Sequence, residues 1–198
     1  MTRPRKYGDA GQAFPIYITV VGGLLFLAFA YFAVGQAAVN RNGAETAADA
    51  AALAAAQDTR DQLAREWLKD VRDPTKWQVI FDGKVQLPMP SCRRAYALAD
   101  QNDAHVEGCH RPSLLSYRVE VKTTKPVGDS LVPGTEKQYS HESATAVIEP
   151  LCNPPAGDAG NIVLPTLTCR DRDWKLDPKD LTGLPEPKDL FDVHLADR

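Results

Sequence analysis

One uninterrupted apolar stretch dominates the hydropathy pattern of this chain. No charged residue occurs between Asp9 and Arg41, and residues 14–34 are almost wholly apolar. A helix rises about 1.5 Å per residue, so roughly 20 such residues cross a hydrocarbon core about 30 Å thick. A helix also satisfies its own backbone hydrogen bonds inside lipid. The pattern therefore predicts a transmembrane helix over residues 14–36, preceded by a leader over residues 1–13.

Directly after this stretch the composition changes to alanine, in the run AADAAALAAA over residues 47–56. Alanine is the best helix former, and Asp73-Pro74 ends the helical pattern because the residue before a proline avoids the helical region. We expect an Ala-rich stalk helix over residues 37–73, with Asn42-Gly43 as a flexible joint. Small residues permit close packing against neighbouring helices. The candidate helix-packing positions are Gly22, Gly23, Ala47, Ala51 and Ala54.

Period-two alternation predicts a small antiparallel sheet in the second half of the chain. Residues 116–124 (SYRVEVKTT) alternate strictly between apolar and polar side chains, and residues 137–148 do so less cleanly. We expect these two segments to pair as antiparallel strands, with residues 104–109 as a third strand. Residues 191–195 alternate as well and predict an edge strand.

Local turn and capping signals predict two further elements. Alternation over residues 77–81, followed by Asp82-Gly83, favours a short strand pair over residues 77–87. Ser91 is predicted to cap a helix over residues 92–102, because its hydroxyl can accept a bond from an unpaired backbone N–H of the first turn.

The tail repeats the tetrapeptide Pro-Lys-Asp-Leu at residues 178–181 and 187–190, and each proline can begin a helical turn.

All patterns together predict an α+β protein. A single transmembrane helix continues into the stalk, and a small disulfide-stapled domain with a short helix and antiparallel strands follows. We place this domain at residues 74–151 and a Pro-rich extension with a disulfide loop at residues 152–198.

Charge sets the orientation and excludes one class of partner. The formal net charge of the 198 residues is −3 without a basic block, so no nucleic-acid partner is expected. Arg3, Arg5 and Lys6 precede the apolar stretch without an acid among them, which favours a cytoplasmic N-terminus and an extracellular C-terminal domain. The alternative is a signal peptide cleaved near Gly35, although this apolar run exceeds the usual core of about 7–15 residues.

The cysteines agree with export. An even number of cysteines in an exported domain predicts disulfides, although four cysteines allow three pairings. A ten-residue helix travels about 15 Å and a six-residue strand returns about 20 Å, so Cys92 and Cys109 come back to the same end of one unit. We therefore predict a bridge between Cys92 and Cys109 and, by exclusion, a second between Cys152 and Cys169.

No catalytic, cofactor-binding or metal site is predicted. His141-Glu142 lacks the second histidine of the HExxH zinc motif. Cys109 and His110 are neighbours on a predicted strand and face opposite sides of it. Asp171 and Asp173 lack the loop spacing of a calcium-binding EF-hand. We therefore expect a protein without enzymatic activity and without a cofactor.

The order of the N-terminal segments is more specific than their composition. A Gly-Gln pair at residues 11–12, the apolar span, a polar joint at residues 41–43 and the alanine run at residues 46–56 follow one another. This arrangement resembles the N-terminal region of TadG-like proteins of Tad (Flp-type) pilus assembly systems. The later cysteine pattern is similar to actinobacterial, Streptomyces-like relatives. Its residues are Cys92, Ala95, Ala99, Asn102 and Cys109.

The resemblance implies a membrane-anchored, non-catalytic structural component of a Tad/Flp-type pilus or secretion system. Its implied partners are the lipid bilayer and other assembly proteins, contacted through the transmembrane and stalk helix, with homo-oligomers as a further option. The alternative is a membrane-tethered extracellular ligand-binding or sensory domain. One departure matters: pilins of these systems carry glutamate at the fifth mature position. Cleavage after Gly8 or Gly11 would place Ala13 or Ile16 there, so we expect a retained anchor and not a polymerising pilin.

Overall fold

Helix α1 is the longest element of the computed structural model and runs without a break through Ala13–Lys69. The structure describes residues 13–127, 137–154, 164–177, 179–180 and 182–197. The predicted joint at Asn42-Gly43 is wrong, because both residues are helical. A single glycine costs a helix only about 1 kcal/mol relative to alanine, and the neighbouring turns supply enough hydrogen bonds to continue through it.

Antiparallel strands and three short helices complete the described fold. The strands are β1 (Ala104–Ser113), β2 (Ser116–Thr123), β3 (His141–Pro150), β4 (Cys152–Asn153), β5 (Leu167–Cys169), β6 (Asp173–Trp174) and β7 (Phe191–Leu195). The short helices are α2 (Trp77–Phe81), α3 (Cys92–Gln101) and α4 (Pro187–Leu190). The main sheet has the order β1-β2-β3-β7, and β4-β5-β6 form a second, smaller sheet. The predicted α+β fold is confirmed.

The predicted strands pair as expected. β2 lies between β1 and β3, both antiparallel to it, and β7 pairs with β3 at the edge of the sheet. On β2 the apolar side chains of Tyr117, Val119 and Val121 are buried, whereas Arg118 on the other face is exposed. This is the two-sided burial that strict alternation indicates. The tail therefore belongs to the main sheet, because β7 supplies its last strand.

The predicted strand pair over residues 77–87 is wrong. The structure has a single 3₁₀ turn over Pro74–Lys76 and then helix α2. Trp77, Ile80 and Phe81 are all buried, a spacing of three and four residues that places them on one face of a helix. Asp82-Gly83 ends this helix instead of turning a hairpin, and Gly83 adopts a φ of +69°, which glycine tolerates best.

Helix α3 is confirmed, but its predicted cap is not. Ser91 has helical backbone angles and its side chain makes no capping bond. Its hydroxyl lies instead 2.7 Å from Thr59 Oγ1 on α1. The Ser91 hydroxyl was expected to accept a bond from a backbone N–H of α3, but it is hydrogen-bonded to a buried residue of α1 instead.

The alanine-rich segment of α1 forms the centre of the domain. The main sheet and α3 pack against this part of the helix, and the alanines that face them have no exposed surface. These alanines are Ala47, Ala48, Ala51, Ala52, Ala55 and Ala56. A long helix followed by a small domain was predicted and is present. However, the sheet and α3 cover the second half of α1, where a bare stalk was expected. Small side chains let a sheet and a helix approach α1 closely, so this face needs no large residues to bury area.

Candidate functional site

The first half of α1 exposes large apolar side chains on all sides. By length and composition this helix can cross a membrane, and none of its most apolar window is buried. Phe26 is 72% exposed and Tyr31 84%. Exposed apolar surface of this extent is unfavourable in water and marks a membrane or protein contact. This half of α1 is therefore the candidate anchoring and partner-binding surface.

Gly22 and Gly23 lie within this exposed half. A Cβ atom added at either glycine would meet nothing within 4 Å outside its own helix. The described chain therefore leaves both positions open to a neighbouring helix. Their predicted packing role remains a prediction.

Ala47, Ala51 and Ala54 differ from the two glycines in their surroundings. All three are buried within the chain, at 0%, 0% and 7% exposure. Here α1 packs against the chain's own sheet and α3, and the predicted helix-packing role of the three alanines remains a prediction. The hydrophobic pattern identified a packing face, but it could not distinguish packing within the chain from packing between chains.

We expect Ala51→Leu to destabilise the domain. The larger side chain has no space between α1 and the elements packed on it, and overpacking a core costs about 1–3 kcal/mol. Denaturant unfolding of the full chain in detergent micelles, followed by tryptophan fluorescence, measures the loss. Ala97→Leu makes the same chemical change on the exposed face of α3 and should change stability by less than about 0.5 kcal/mol. Equal effects of the two changes would contradict the buried position of Ala51.

Both predicted disulfides are present. Cys92–Cys109 joins the start of α3 to β1, with Cα atoms 6.0 Å apart. Cys152–Cys169 joins β4 to β5, where the two residues are direct cross-strand partners. The helix and the strand between Cys92 and Cys109 run out and back as expected, so the chain geometry was sufficient to select this pairing.

A buried polar network that the sequence analysis missed connects α1 to the loop before α3. Thr59 Oγ1 lies 3.0 Å from the hydroxyl of Tyr117, and Gln62 Nε2 donates to Met89 O at 3.0 Å and to Ser91 Oγ at 3.0 Å. Met89 N donates in turn to Gln62 Oε1 at 3.1 Å. Buried polar groups are costly unless they are paired, so the network fixes this loop against the helix.

A periodic signal could have located this network. Thr59 and Gln62 follow the buried Ala52 and Ala55 at spacings of three and four residues, which places all four on one helical stripe. Polar residues on an otherwise apolar stripe indicate buried hydrogen bonds.

A second set of contacts joins α1 to the end of the β2–β3 hairpin. Asn40 Nδ2 donates to Lys125 O at 3.3 Å, and Ser140 Oγ donates to Asn40 Oδ1. Arg41 Nε forms an ion pair with Glu142 Oε1 at 2.9 Å. Exposed pairs of this kind contribute only about 0.2–1 kcal/mol, so their main effect is to set the position of the hairpin beside the helix.

One histidine and two carboxylates meet on the outer face of the main sheet. Potential ligand atoms of Glu149, Asp192 and His194 all lie within 4.8 Å of one another. Nitrogen and oxygen donors of this kind suit zinc and similar divalent metals. However, Arg170 Nη2 already lies 2.6 Å from Glu149 Oε1. Alternate positions on β7 place Asp192 and His194 on one face, and the absence of a metal site stays a prediction.

A shallow pocket of about 390 Å³ lies beside the alanine-rich part of α1. Its lining includes Asp49, Arg118, Ser143 and Asp197. Burial raises the pKa of the Asp49 carboxyl above its ordinary value. Arg118 donates to Ser143 Oγ at 3.0 Å and to Glu120 Oε1 at 3.3 Å. The cation of the pocket is therefore held by neighbouring side chains and not directed at an open space.

The comparisons with known proteins concern the N-terminal part of the chain. The family model described as putative Flp pilus-assembly TadE/G-like matches residues 11–58. No curated protein and no solved structure shows significant similarity to the chain. The match covers the exposed apolar half of α1 and its buried alanine segment, and ends two residues after Ala56. The actinobacterial likeness of the later cysteine pattern stays a prediction. Over residues 11–58 the chain is thus similar to the TadE/G-like Flp pilus-assembly family, which confirms the resemblance inferred from its residues.

Proposed function

We propose that this protein is a membrane-anchored, non-catalytic structural component of a Tad/Flp-type pilus or secretion assembly. The observation that carries the proposal is the family match over residues 11–58, which falls on the helix that exposes the apolar surface. The apolar half of α1 is the anchor, and the α+β domain is what it holds at the membrane surface.

Charge and redox chemistry support one orientation. Arg3, Arg5 and Lys6 precede the apolar stretch, and positive residues beside a first span favour the cytoplasmic side. The two disulfides lie in the domain beyond the span and persist in oxidising compartments. The N-terminus is therefore cytoplasmic and the domain extracellular.

The continuity of α1 supports a mechanical role. The same unbroken helix forms the exposed apolar segment and the centre of the domain, so a displacement of the anchor moves the domain with it. The alanine face is already occupied by the chain's own sheet. Other assembly proteins, or a second copy of this chain, therefore contact the apolar half, where Gly22 and Gly23 allow close approach.

Deletion of the gene in its host, with complementation, tests the proposal. The deletion should abolish surface pili and the wild-type chain should restore them. Gly22→Leu should restore fewer pili and co-purify less of the assembly apparatus, because the side chain blocks helix approach at a position where an added Cβ meets nothing within 4 Å outside its own helix. Ala28→Leu adds similar bulk about 120° around the helix from Gly22, at an exposed position, and is the matched control. Intact pili in the deletion strain, together with no assembly protein co-purifying with the wild-type chain, would overturn the proposal.

The alternative of a tethered ligand-binding or sensory domain has weaker support. It requires a pocket whose polar groups converge on a ligand. The 390 Å³ pocket beside Asp49 contains Arg118, but this guanidinium is hydrogen-bonded to Ser143 and Glu120. The structural role therefore accounts for more of the described residues.

A further inference from the structure

The connected end of the β2–β3 hairpin lies beside α1 where the apolar run ends. We call Lys125, Pro126, Val127 and residues 137–139 the hairpin base; Val127 N donates to Gln138 O at 2.8 Å, which joins its two sides. Asn40, which binds Lys125 O, lies six residues beyond Val34, the last residue of the apolar run. Six residues of helix span about 9 Å. One headgroup layer is about 5–8 Å thick, so Asn40 lies near its outer boundary.

Val127 lies beside the part of α1 that leads from the apolar span to Asn40. It lines a groove of about 430 Å³ together with six residues of α1, which are Tyr31, Phe32, Gly35, Gln36, Val39 and Asn40. These six residues extend over about 13 Å of the helix axis, from Asn40 toward the apolar span. The hairpin base therefore descends beside the anchor into the depth range that phospholipid headgroups and the first carbons of their chains occupy.

The chemistry of the groove suits a phospholipid. Its walls are mostly apolar, and Tyr31 is an exposed aromatic residue of the kind that is enriched at membrane interfaces. Lys125 and Lys137 at the hairpin base are exposed cations, and a positive charge attracts a lipid phosphate. Asp103 Oδ1 lies 3.4 Å from Lys125 Nζ, so this end of the domain carries both positive and negative charge. A zwitterionic phospholipid, whose headgroup also carries both charges, is complementary to this surface.

We propose that the hairpin base is a second membrane contact, inserted in the headgroup layer of the bilayer that α1 crosses, with a phospholipid in the groove between Val127 and α1. The inference rests on the proposed anchoring of α1. Two contacts, the span and the hairpin, fix the tilt and height of the domain, whereas a span alone would leave the domain free to rock. The domain is then presented to other assembly proteins in one orientation.

Depth-dependent fluorescence quenching tests this contact. The full chain is reconstituted in phosphatidylcholine nanodiscs that contain lipids with a spin label on the headgroup or bromine on the acyl chain. Val127→Trp and Lys137→Trp each place a fluorophore in the hairpin base, so that one informative variant remains if the other fails to fold. Wild-type emission from the three native tryptophans is subtracted. Both variants should lose emission with headgroup-labelled lipid.

Two controls separate the possible outcomes. Val79→Trp places the probe at an exposed position of α2, which packs beside the end of α1 that is far from the apolar span, and should lose no emission. Phe26→Trp places it in the apolar span and should lose emission with brominated lipid. Quenching of Phe26→Trp without quenching of either hairpin variant would overturn the second contact and leave the anchor intact. Absence of quenching at Phe26→Trp as well would overturn the anchoring on which the inference rests.

Discussion

Replacing Phe191 with alanine is expected to lower the free energy of unfolding by about 3–5 kcal/mol, the usual cost of removing a buried aromatic side chain. Phe191 is completely buried at the start of β7 and packs on Phe81 of α2, with ring centroids 5.1 Å apart. It connects the C-terminal strand to a helix more than a hundred residues earlier. Domains have only about 5–15 kcal/mol of stability, so this one change removes a large part of it.

Denaturant unfolding of the full chain in detergent micelles measures this effect. His194→Ala changes an exposed residue of the same strand and should alter stability by less than about 0.5 kcal/mol. Phe81→Ala should cost about as much as Phe191→Ala, and the double variant less than the sum, because the two rings share one contact. Strict additivity of the two losses would contradict the ring contact.

Replacing Cys92 and Cys109 together with alanine is expected to cost about 3 kcal/mol. The bridge closes a loop with a sequence separation of 17, and its removal restores the corresponding entropy to the unfolded chain. The second bridge also has a sequence separation of 17. The chain-entropy estimate therefore predicts similar losses for Cys152→Ala with Cys169→Ala.

The same unfolding experiment compares the two double variants, with the wild-type chain under reducing conditions as a further reference. Reduction of the wild type should lower stability by about the sum of the two losses if the bridges act independently. A loss confined to one double variant would show that strain or residual structure, and not loop entropy, governs the other bridge. Non-reducing peptide mapping of each variant checks that the remaining bridge has kept its native pairing.

Several elements were predictable because their patterns are local. The apolar run over residues 14–34 defines a helix of membrane length from composition alone, and α1 contains all of it. Strict alternation over residues 116–124 placed β2 and its buried face, because successive side chains of a strand face opposite sides. The Cys92–Cys109 bridge followed from the lengths of one helix and one strand.

The errors have a common cause in contacts between distant residues. Trp77, Val79 and Phe81 fit a strand pattern, whereas Trp77, Ile80 and Phe81 fit a helical one. The burial of Ile80 and the exposure of Val79 decide for the helix. Ser91 was a valid capping residue until Thr59, 32 positions earlier, occupied its hydroxyl. Such partners lie outside any window from which a local pattern is taken.

The sequence by itself determined that this protein has an apolar helix of membrane length, an alanine-rich continuation, an alternating sheet and two bridges that fit an exported domain. Each of these depends on side-chain periodicity or on short chain lengths. Only the tertiary structure decided that the alanine face of α1 packs on the chain's own sheet, and that Asn40 holds the β2–β3 hairpin beside the helix. An alanine face is complementary to many surfaces, so its partner is selected by which surface the rest of the chain brings to it.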